Sequence, residues 1–596
     1  MLPYLKTKIN KEEITVKAFG GLNVSEKARM GDLCYEENLT SDDYPSLKIV
    51  KGKKLVYETD RIINGFSCNE GWICTSYSQD GSAIFLTYDG TDYDFTEFSS
   101  SNDFTADRKM ASLADCILII PDNVLFFTKT RSFVKICVSQ NYNASTVKEK
   151  LFCEDSDSNM FSSQSVGYLA KLEHNRLSSV YKIINTSSSS HEFHYIAFEQ
   201  SLKAGDIITI KGEAYSKSDN DYPEFYDYRK KLKAGLTLKI KSITPITHST
   251  PNGTVTETTE IFFDDHAIDT QGFSSIYFTH LTVERGMPKL ENICSYANRI
   301  WATSGIEIFT SKLSDASEWN DFSTDAYGTL PNACFNATAE TEGNFTAIVP
   351  FGHYIYAFKE NSIHKIFGDE PDEYTLHSTR TTGVGKGLSA TVDSFGDALF
   401  YASSDGIYVY RDNFPGLISV ATGGIKNPIS GTCANSKYYL LAGDEHAKII
   451  YTYDISKNIW HIQKAERESR FLCEYANTVY EAGNGKVYAL EDPESEGITK
   501  WKFGMRIDDR LFGKKAHEQL LLRYILEKDA SFTVRAIYDD GTKGELCAFF
   551  HDEEKSGEGQ VFLKHKRCSA FTLEFSGRGM FTLKTLKLIF YRGSEL

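Results

Sequence analysis

The sequence predicts an all-β protein built around a β-propeller, and three observations lead to this prediction. Aromatic residues make up 13% of the chain, with 34 Tyr and 39 Phe, and these residues pack well on the pleated surface of a sheet. Apolar residues seldom recur at helical spacing. A unit of two strands joined by a Gly- or Asp-containing turn recurs at nearly regular steps. Each observation is taken up in turn.

The bulk composition is that of a folded protein with several domains. The chain has 596 residues, of which 41% are hydrophobic and 24% are charged. A single hydrophobic core stops growing well below this length, so we expect two to four domains.

Helical periodicity is confined to one good candidate, residues 514–527 (KKAHEQLLLRYILE), and its second half also reads as a strand. Elsewhere, short apolar or alternating runs are separated by Asp, Gly, Asn and Ser. This pattern is typical of strands and turns.

The recurring unit has seven copies. They are anchored on Trp72, Ile117, Ile300, Ile355, Leu399, Tyr439 and Val479. Within the two groups of copies the steps are about 40 to 55 residues, as expected for propeller blades of four strands each. Seven copies predict a seven-bladed ring. The competing interpretation is a series of unrelated hairpins in a sandwich array, because the residues carry no WD or kelch signature.

The interval between the second and third copies is too long for a connection between blades. We interpret this interval as an inserted domain, and the chain then divides into five predicted segments. They are an extended N-terminal arm (1–60), the first blades (61–153), an inserted small β-barrel-like domain (154–286), the remaining blades (287–505) and a C-terminal β-sandwich-like domain (506–596). The C-terminal strands alternate apolar and polar residues, which predicts a sandwich with one face in water.

The predicted arm has Gly pairs, polar runs and few strands of core quality. We therefore expect it to cross a neighbouring surface or to pack along the ring, and we take it as the candidate contact with a partner. The candidate contact residues are Phe19, Gly20, Gly21, Leu22, Asn23, Tyr44 and Pro45.

Charge and cysteine usage limit the class of protein. The formal net charge is −16 and the pI about 5.5, whereas a sequence-independent DNA binder needs clustered Lys and Arg. An acidic surface can equally serve solubility alone. The 12 Cys form no C-x-x-C pair, so we expect free thiols in a reducing cytoplasm. With no signal-peptide-like start and no apolar run longer than five residues, we expect neither export nor membrane insertion.

Motifs that would carry chemistry are weak. The run Gly383–Ser389 lacks the Walker A order, because Lys386 is followed by Gly. Asp155–Asn159 lacks the Gly and Glu that complete a calcium loop, and the H-x-x-H at His191–His194 lacks zinc spacing. Paired carboxylates for glycoside hydrolysis have no local signature. We therefore predict a non-enzymatic protein without catalytic residues, cofactor or metal.

Several stretches resemble one family. Four parts of the chain carry the resemblance: the arm segments, Asn298–Ser323 (NRIWATSGIEIFTSKLSDASEWNDFS), the FKENSIHKIFGDEP stretch with the GVGKGLSATVDSFGDALFYASSDGIYVYRDNFPGLIS stretch after it, and the AGDIITIKG element from Ala204. They are similar to a family of bacteriophage virion proteins of the packaged-DNA stabilisation and tail accessory type. Ala302 departs from the family, which more often has Gly there.

The resemblance implies a structural component of a virion tail or neck, made in the host cytoplasm. Such a protein would oligomerise, bind tail, neck or portal proteins, and line or extend the DNA channel without reading DNA sequence. The alternative is a receptor-binding or glycan-active propeller of a tail fibre or tail tip.

Overall fold

The computed structural model describes most of the chain. The described residues are 11–99, 101, 103–136, 138–143, 170–179, 182–185, 191–194, 207–215, 231–233, 235–250, 253–264, 275–285, 287–319, 331–411, 414–492, 495, 499–508, 515–538, 540–550, 555–563 and 567–592. Almost all regular structure among them is β, which confirms the predicted class.

Six strands precede the first sheet of the repeat. They are β1 (Lys11–Val16), β2 (Gly21–Leu22), β3 (Asp32–Glu37), β4 (Leu39–Thr40), β5 (Leu47–Ile49) and β6 (Lys54–Glu58).

Two four-stranded antiparallel sheets follow. Sheet 1 consists of β7 (Ile62–Cys68), β8 (Trp72–Tyr77), β9 (Ile84–Tyr88) and β10 (Thr91–Asp94). Sheet 2 consists of β11 (Lys109–Leu113), β12 (Cys116–Ile120), β13 (Val124–Phe127) and β14 (Ser132–Lys135).

An insertion separates sheet 2 from sheet 3. Its strands are β15 (Val138–Asn143), β16 (Ala170–Glu173), β17 (Arg176–Ser179), β18 (Lys182–Asn185), β19 (His191–His194), β20 (Ile207–Tyr215), β21 (Leu236–Thr250), β22 (Gly253–Phe263) and β23 (Ser275–Arg285). Pairing runs in the order β23-β16-β17-β22-β21-β20 and returns from β20 to β23, so these six strands form a closed circuit. This circuit agrees with the predicted barrel-like insertion, although β15 begins before the predicted boundary.

Five more sheets complete the repeat. Sheet 3 consists of β24 (Asn292–Tyr296), β25 (Arg299–Ser304), β26 (Glu307–Thr310) and β27 (Phe335–Thr338). Sheet 4 consists of β28 (Ala347–Phe351), β29 (Tyr354–Lys359), β30 (Ser362–Phe367) and β31 (Thr375–Arg380). Sheet 5 consists of β32 (Asp393–Phe395), β33 (Ala398–Ala402), β34 (Ile407–Arg411) and β35 (Phe414–Leu417), with 3-10 helices η1 (Ser389–Thr391) and η2 (Ser419–Thr422) before and after it. Sheet 6 consists of β36 (Pro428–Ala434), β37 (Lys437–Gly443), β38 (Lys448–Asp454) and β39 (Ile459–Lys464).

Sheet 7 is assembled from both ends of the repeat. Its strands β40 (Phe471–Tyr475), β41 (Thr478–Gly483) and β42 (Lys486–Ala489) are followed in the sheet by β6 from the N-terminal segment. All seven sequence anchors lie in the second strand of a sheet. The repeat therefore has the meander topology of a β-propeller, and sheet 7 needs a strand that the sequence pattern had not assigned to it.

Burial explains the residue pattern of the blades. Every residue of β12 and β33 is buried, because second strands are covered on both faces by neighbouring sheets. The outer strands β10 and β31 are polar and largely exposed. Three hairpins turn on two consecutive residues with positive φ, at Ala297–Asn298, Asn435–Ser436 and Ala476–Asn477. Two-residue turns of this kind match the twist of the flanking strands.

The chain ends in eight further strands. They are β43 (Lys500–Ile507), β44 (Lys515–Leu526), β45 (Ser531–Tyr538), β46 (Lys543–Phe550), β47 (Lys555–Phe562), β48 (Arg567–Cys568), β49 (Phe571–Arg578) and β50 (Phe581–Arg592). The one helix candidate of the sequence, residues 514–527, contains strand β44, so its strand interpretation holds.

The N-terminal segment belongs to this C-terminal domain. One sheet has the order β4-β5-β50-β44-β47, with β1 also on β50, and the other has the order β2-β3-β43-β49-β45-β46. Side chains of both sheets share one hydrophobic core around Trp501, Phe503, Leu522, Phe575 and Leu588. The described residues 11–58 thus form paired strands, which differs from the predicted extended arm.

Two cysteines also differ from the sequence prediction. Cys68 of β7 and Cys473 of β40 form a disulfide across a sequence separation of 405 residues, with their Cα atoms 6.1 Å apart. The prediction of thiols throughout is wrong for this pair, because only the approach of sheet 7 to sheet 1 brings the two residues together. Among the free cysteines of the described part, Cys74 and Cys433 are buried.

Candidate functional site

The predicted contact residues lie at the junction between sheet 6 and the C-terminal domain. Phe19 is buried in the core of the C-terminal domain, and Leu22 is buried in a propeller cluster that contains Trp460. Two residues only three positions apart therefore anchor the segment in two different cores. This arrangement joins the domains tightly.

Gly21 permits the close approach of the segment to the propeller. Its φ is +69°, and a Cβ atom there would lie 2.3 Å from Ile459 Cγ2 and 2.5 Å from the Trp460 carbonyl oxygen. A side chain would have to push β39 away. The glycine pair noted in the sequence is thus a packing requirement of the junction, for which Gly is the residue with the necessary freedom.

The remaining candidates are placed differently. Gly20 donates its N–H to the Gly31 carbonyl, and the Asn23 side-chain amide donates to Asp32 at 2.7 Å. Tyr44 and Pro45 lie on the surface, where the Pro45 carbonyl accepts the Phe19 N–H. Of the candidate contact residues, Tyr44 and Pro45 are therefore the ones that remain open to a partner.

A buried carboxylate holds the junction together, and sequence reasoning did not find it. The side chain of Glu36 is fully buried and accepts hydrogen bonds from His461 Nδ1 at 3.1 Å and from the Ile462 N–H at 2.7 Å. A carboxylate accepts, so the imidazole Nδ1 carries the proton toward Glu36. The neighbouring Glu37 is exposed.

Asn38 bridges the same two domains. Its N–H donates to the Ile462 carbonyl, its side-chain oxygen accepts the Lys464 N–H, and its side-chain nitrogen donates to the Lys500 carbonyl. Its φ of +64° is a conformation that Asn tolerates better than most residues. The only sequence signal was a polar residue within the predicted arm.

A second set of charges locks the segment to β37 and β38. Lys437 donates to Thr40 and pairs with Asp42 at 2.6 Å, and Ser41 donates to Asp454 at 2.6 Å. Burial acts to raise the pKa of Asp454, but hydrogen bonds from Lys457, Ser41 and Ser456 outweigh burial and lower that pKa to about 2.

A cavity of about 640 Å³ lies where the first strands of the sheets meet. Lys109 of β11 donates to the Glu291 carbonyl at 2.9 Å, to Asn292 at 2.7 Å and to Ser389 at 3.0 Å. These bonds connect sheet 2 to sheet 3 and to the start of sheet 5. Burial lowers the pKa of Lys109 to about 8.

Side chains at this cavity therefore connect sheets that are distant in the sequence. Arg470, next to sheet 7, adds an ion pair with Asp107 at 2.6 Å. The glycine-rich run Gly383–Ser389 ends at this cavity, where Ser389 begins a 3-10 helix of three residues and the Gly385 N–H bonds to Ala402. The run is part of the connection between the last strand of sheet 4 and the first strand of sheet 5.

The other weak motifs fall outside a described site. Asp155–Asn159 lies outside the described residues, and His191–His194 is strand β19. Within the described part of the chain, no group of three or more His, Cys, Asp or Glu residues is arranged to hold a metal ion. No helix among those residues is long and apolar enough to cross a membrane.

Comparisons with known proteins identify no family for this chain. No protein-family model matches it, and no curated protein matches it. Among solved structures, Hsv2 from Kluyveromyces lactis has a TM-score of 0.25 at 8% identity, covering 68% of this chain and 98% of that one. BamB from Moraxella catarrhalis has a TM-score of 0.22 at 11% identity, covering 34% and 70%. The exo-β-1,3-galactanase from Phanerochaete chrysosporium has a TM-score of 0.21 at 12% identity, covering 50% and 95%.

These three structures are β-propellers of varied functions. TM-scores of this size carry no argument about what the present chain does. The propeller assignment rests on the sheet order and on the positions of the seven anchors.

Proposed function

We propose that this protein is a non-enzymatic structural component of a bacteriophage virion tail or neck, which oligomerises and binds neighbouring tail or connector proteins. Two observations support this proposal: the resemblance of the sequence to bacteriophage virion proteins, and an exposed apolar edge at sheet 5. We also propose the finer architecture: seven blades closed into one ring, and a β-sandwich made of N- and C-terminal strands.

Contacts between first strands support the closed ring. β7 contacts β11, β11 contacts β24, and β24 contacts β28. Sheets 4 and 5 share a hydrophobic cluster, β32 contacts β36, β36 contacts β40, and β40 contacts β7. Radial packing of this kind buries both faces of each sheet and protects the edges.

The observation that carries the proposal is an exposed apolar edge at sheet 5. Phe414 and Leu417 of the outer strand β35 are 74% and 44% exposed, and Val420 of η2 is 58% exposed. Val24 is 47% exposed and its N–H bonds to the Ala421 carbonyl, so it lies beside them. These four exposed apolar side chains lie along one edge of sheet 5, and exposed apolar surface of this kind marks contact sites.

The occupant that we propose for this apolar edge (Val24, Phe414, Leu417 and Val420) is a second copy of the chain. Val24 directly follows the segment whose residues clamp sheet 6 to the C-terminal domain, so the edge continues an internal interface and is held rigidly. A rigid surface loses little conformational entropy when it binds.

A DNA channel in such an assembly would be built by several copies. The hydrogen bonds of Lys109 join sheet 2 to sheet 3 and to the start of sheet 5, so we propose a passage between copies rather than through one ring. The acidic net charge of −16 would let DNA pass a wall of such copies without adhering.

The oligomeric state tests the apolar edge. Sedimentation velocity of the full chain should give an oligomer, and Phe414→Asp should shift it to monomer. Phe562→Asp is the matched control, since Phe562 is 70% exposed but lies on β47 of the C-terminal domain. A monomeric wild-type chain, or a Phe414→Asp variant that still assembles, contradicts this contact.

Virion incorporation is tested on particles. Cryo-electron microscopy of purified virions should place this chain at the tail or neck, in copies related by the particle axis. Particles that lack the chain would contradict the structural role, whatever its oligomeric state in solution.

A further inference from the structure

A second surface feature, separate from the apolar edge, is a cleft of about 500 Å³ between sheets 3 and 4. It lies beside the turns that join the first and second strands of these two sheets. We call it the aromatic cleft and define it by Tyr296, Trp301, His353, Tyr354, Phe367, Asp369 and Tyr374.

Aromatic rings form the floor and one wall of the cleft. Trp301 and Tyr374 lie with ring centroids 5.1 Å apart, and Tyr354 meets Phe367 edge to face at 6.4 Å and 87°. Phe367 is 41% exposed, while the adjacent Ile366, which faces the other side of β30, is buried. Exposed rings in a concave site present flat apolar surface to a ligand.

One polar atom in the floor has no protein partner. Trp301 is 2% exposed, and its indole Nε1 makes no hydrogen bond in the described structure. Buried indole N–H groups usually find an acceptor, because leaving a donor unpaired away from water is costly. That N–H is covered by protein in this structure, so a ligand would be recognised by the exposed rings and by the rim.

The rim supplies the opposite hydrogen-bonding character. Asp369 lines the cleft with an acceptor carboxylate, and the exposed His353 stands at its edge. A ligand matched to this surface has apolar C–H faces, hydroxyl donors and acceptor oxygens in one rigid unit. Among common biological ligands, a pyranose sugar has this combination.

We propose that the aromatic cleft binds a neutral oligosaccharide, with a pyranose ring against Phe367. The inference goes beyond the structural role and does not depend on it. Lys365 Nζ lies 3.5 Å from the centroid of the Tyr354 ring and brings one positive charge to the cleft. Neutral sugars are still favoured, because Asp369, Glu370, Asp372 and Glu373 follow in the chain and their negative charges outnumber it and repel uronic and sialic acids.

Binding without cleavage follows from the lining. Glycoside hydrolysis needs two carboxyl groups facing each other across the scissile bond. Asp369 is the single carboxylate among the residues that line the cleft in the described structure.

The test uses the full chain and defined probes. Saturation-transfer NMR and calorimetry are run with maltohexaose, cellohexaose and chitohexaose as neutral probes, with hexagalacturonate as the anionic probe, and with hexalysine as a cationic one. At least one neutral oligosaccharide should bind, with hexagalacturonate binding more weakly.

Two variants locate the binding. Phe367→Ala should weaken binding of that neutral sugar about tenfold, the order expected for one aromatic contact. Phe395→Ala is the control: Phe395 is 38% exposed, ends the first strand of sheet 5 and does not line the cleft, so this variant should leave binding unchanged.

Several results would overturn the proposal. They are no signal from any of the neutral probes, equal affinity in wild type and Phe367→Ala, or binding of hexalysine alone, which would assign the cleft to a basic partner. Release of shorter sugars by the wild-type chain would overturn the claim of binding without cleavage. Virion incorporation and oligomeric state are measured separately, so failure here leaves the structural proposal to its own tests.

Discussion

The junction between the propeller and the C-terminal domain should depend on Glu36 far more than on its neighbour Glu37. In Glu36→Ala, the Ile462 N–H and His461 Nδ1 lose their acceptor inside a buried interface. Hydrogen bonds to a charged group contribute about 1.5–3 kcal/mol each, so we expect the loss of two to weaken the junction by about 3–6 kcal/mol.

Amide hydrogen exchange measures this local loss. A chain with several domains does not unfold in a single step, so one melting temperature would mix separate transitions. Peptides that cover β39 should exchange about a hundredfold faster or more in Glu36→Ala, since 1.4 kcal/mol corresponds to a factor of ten. Peptides in the insertion should exchange at the wild-type rate.

The matched control is Glu37→Ala, which changes an exposed carboxylate on the same strand. Exposed substitutions away from special features usually alter stability by about 0.5 kcal/mol or less. If β39 exchanges at the same rate in both variants, the reasoning that Glu36 clamps the two domains is refuted.

Three further predictions concern other parts of the structure. Asp122→Ala breaks the fully buried ion pair with Arg108, which immediately precedes β11, and should destabilise the propeller by about 3–5 kcal/mol. Its control, Asp115→Ala, removes an exposed ion pair and should cost at most about 1 kcal/mol. Equal denaturant midpoints for the two variants would contradict this prediction. A thiol reductant should lower the free energy of unfolding of the wild type by about 2–4 kcal/mol but should leave that of Cys68→Ser unchanged. An equal response of the two proteins would show that the disulfide with Cys473 is absent. Because the pKa of Asp454 is lowered, its contribution to stability is present above about pH 4 and is lost as the pH falls toward about 2. The free energy of unfolding of Asp454→Asn should therefore fall less steeply between these pH values than that of the wild type. The same pH dependence in both proteins would be evidence against the hydrogen-bonded carboxylate.

The repeat could be predicted because its signal is local. Each second strand, such as Cys116–Ile120 or Ala398–Ala402, is a short continuous apolar run between turn residues, and burial on both faces produces such runs. Turns at Ala297 and Ala476 carried no such signal, since Ala is not a residue that prefers positive φ.

The candidate site could be predicted only in part. Phe19, Gly21 and Leu22 were predicted to contact a partner, and in the structure they pack against other parts of the same chain. Glu36 and Asn38 were missed, because their partners lie more than 400 residues away along the chain. The aromatic cleft joins residues of two blades, and sequence spacing does not show which blades are neighbours.

The sequence by itself determined the all-β class, the seven repeated strand pairs and the presence of an insertion. These features follow from periodicity and turn chemistry, which act over a few residues. Only the tertiary structure decided that β6 completes sheet 7, that Cys68 meets Cys473, and that the N-terminal strands belong to the C-terminal domain. Such pairings between distant segments depend on which unpaired edges and cores come together in the folded chain, and a single sequence carries no local record of that choice.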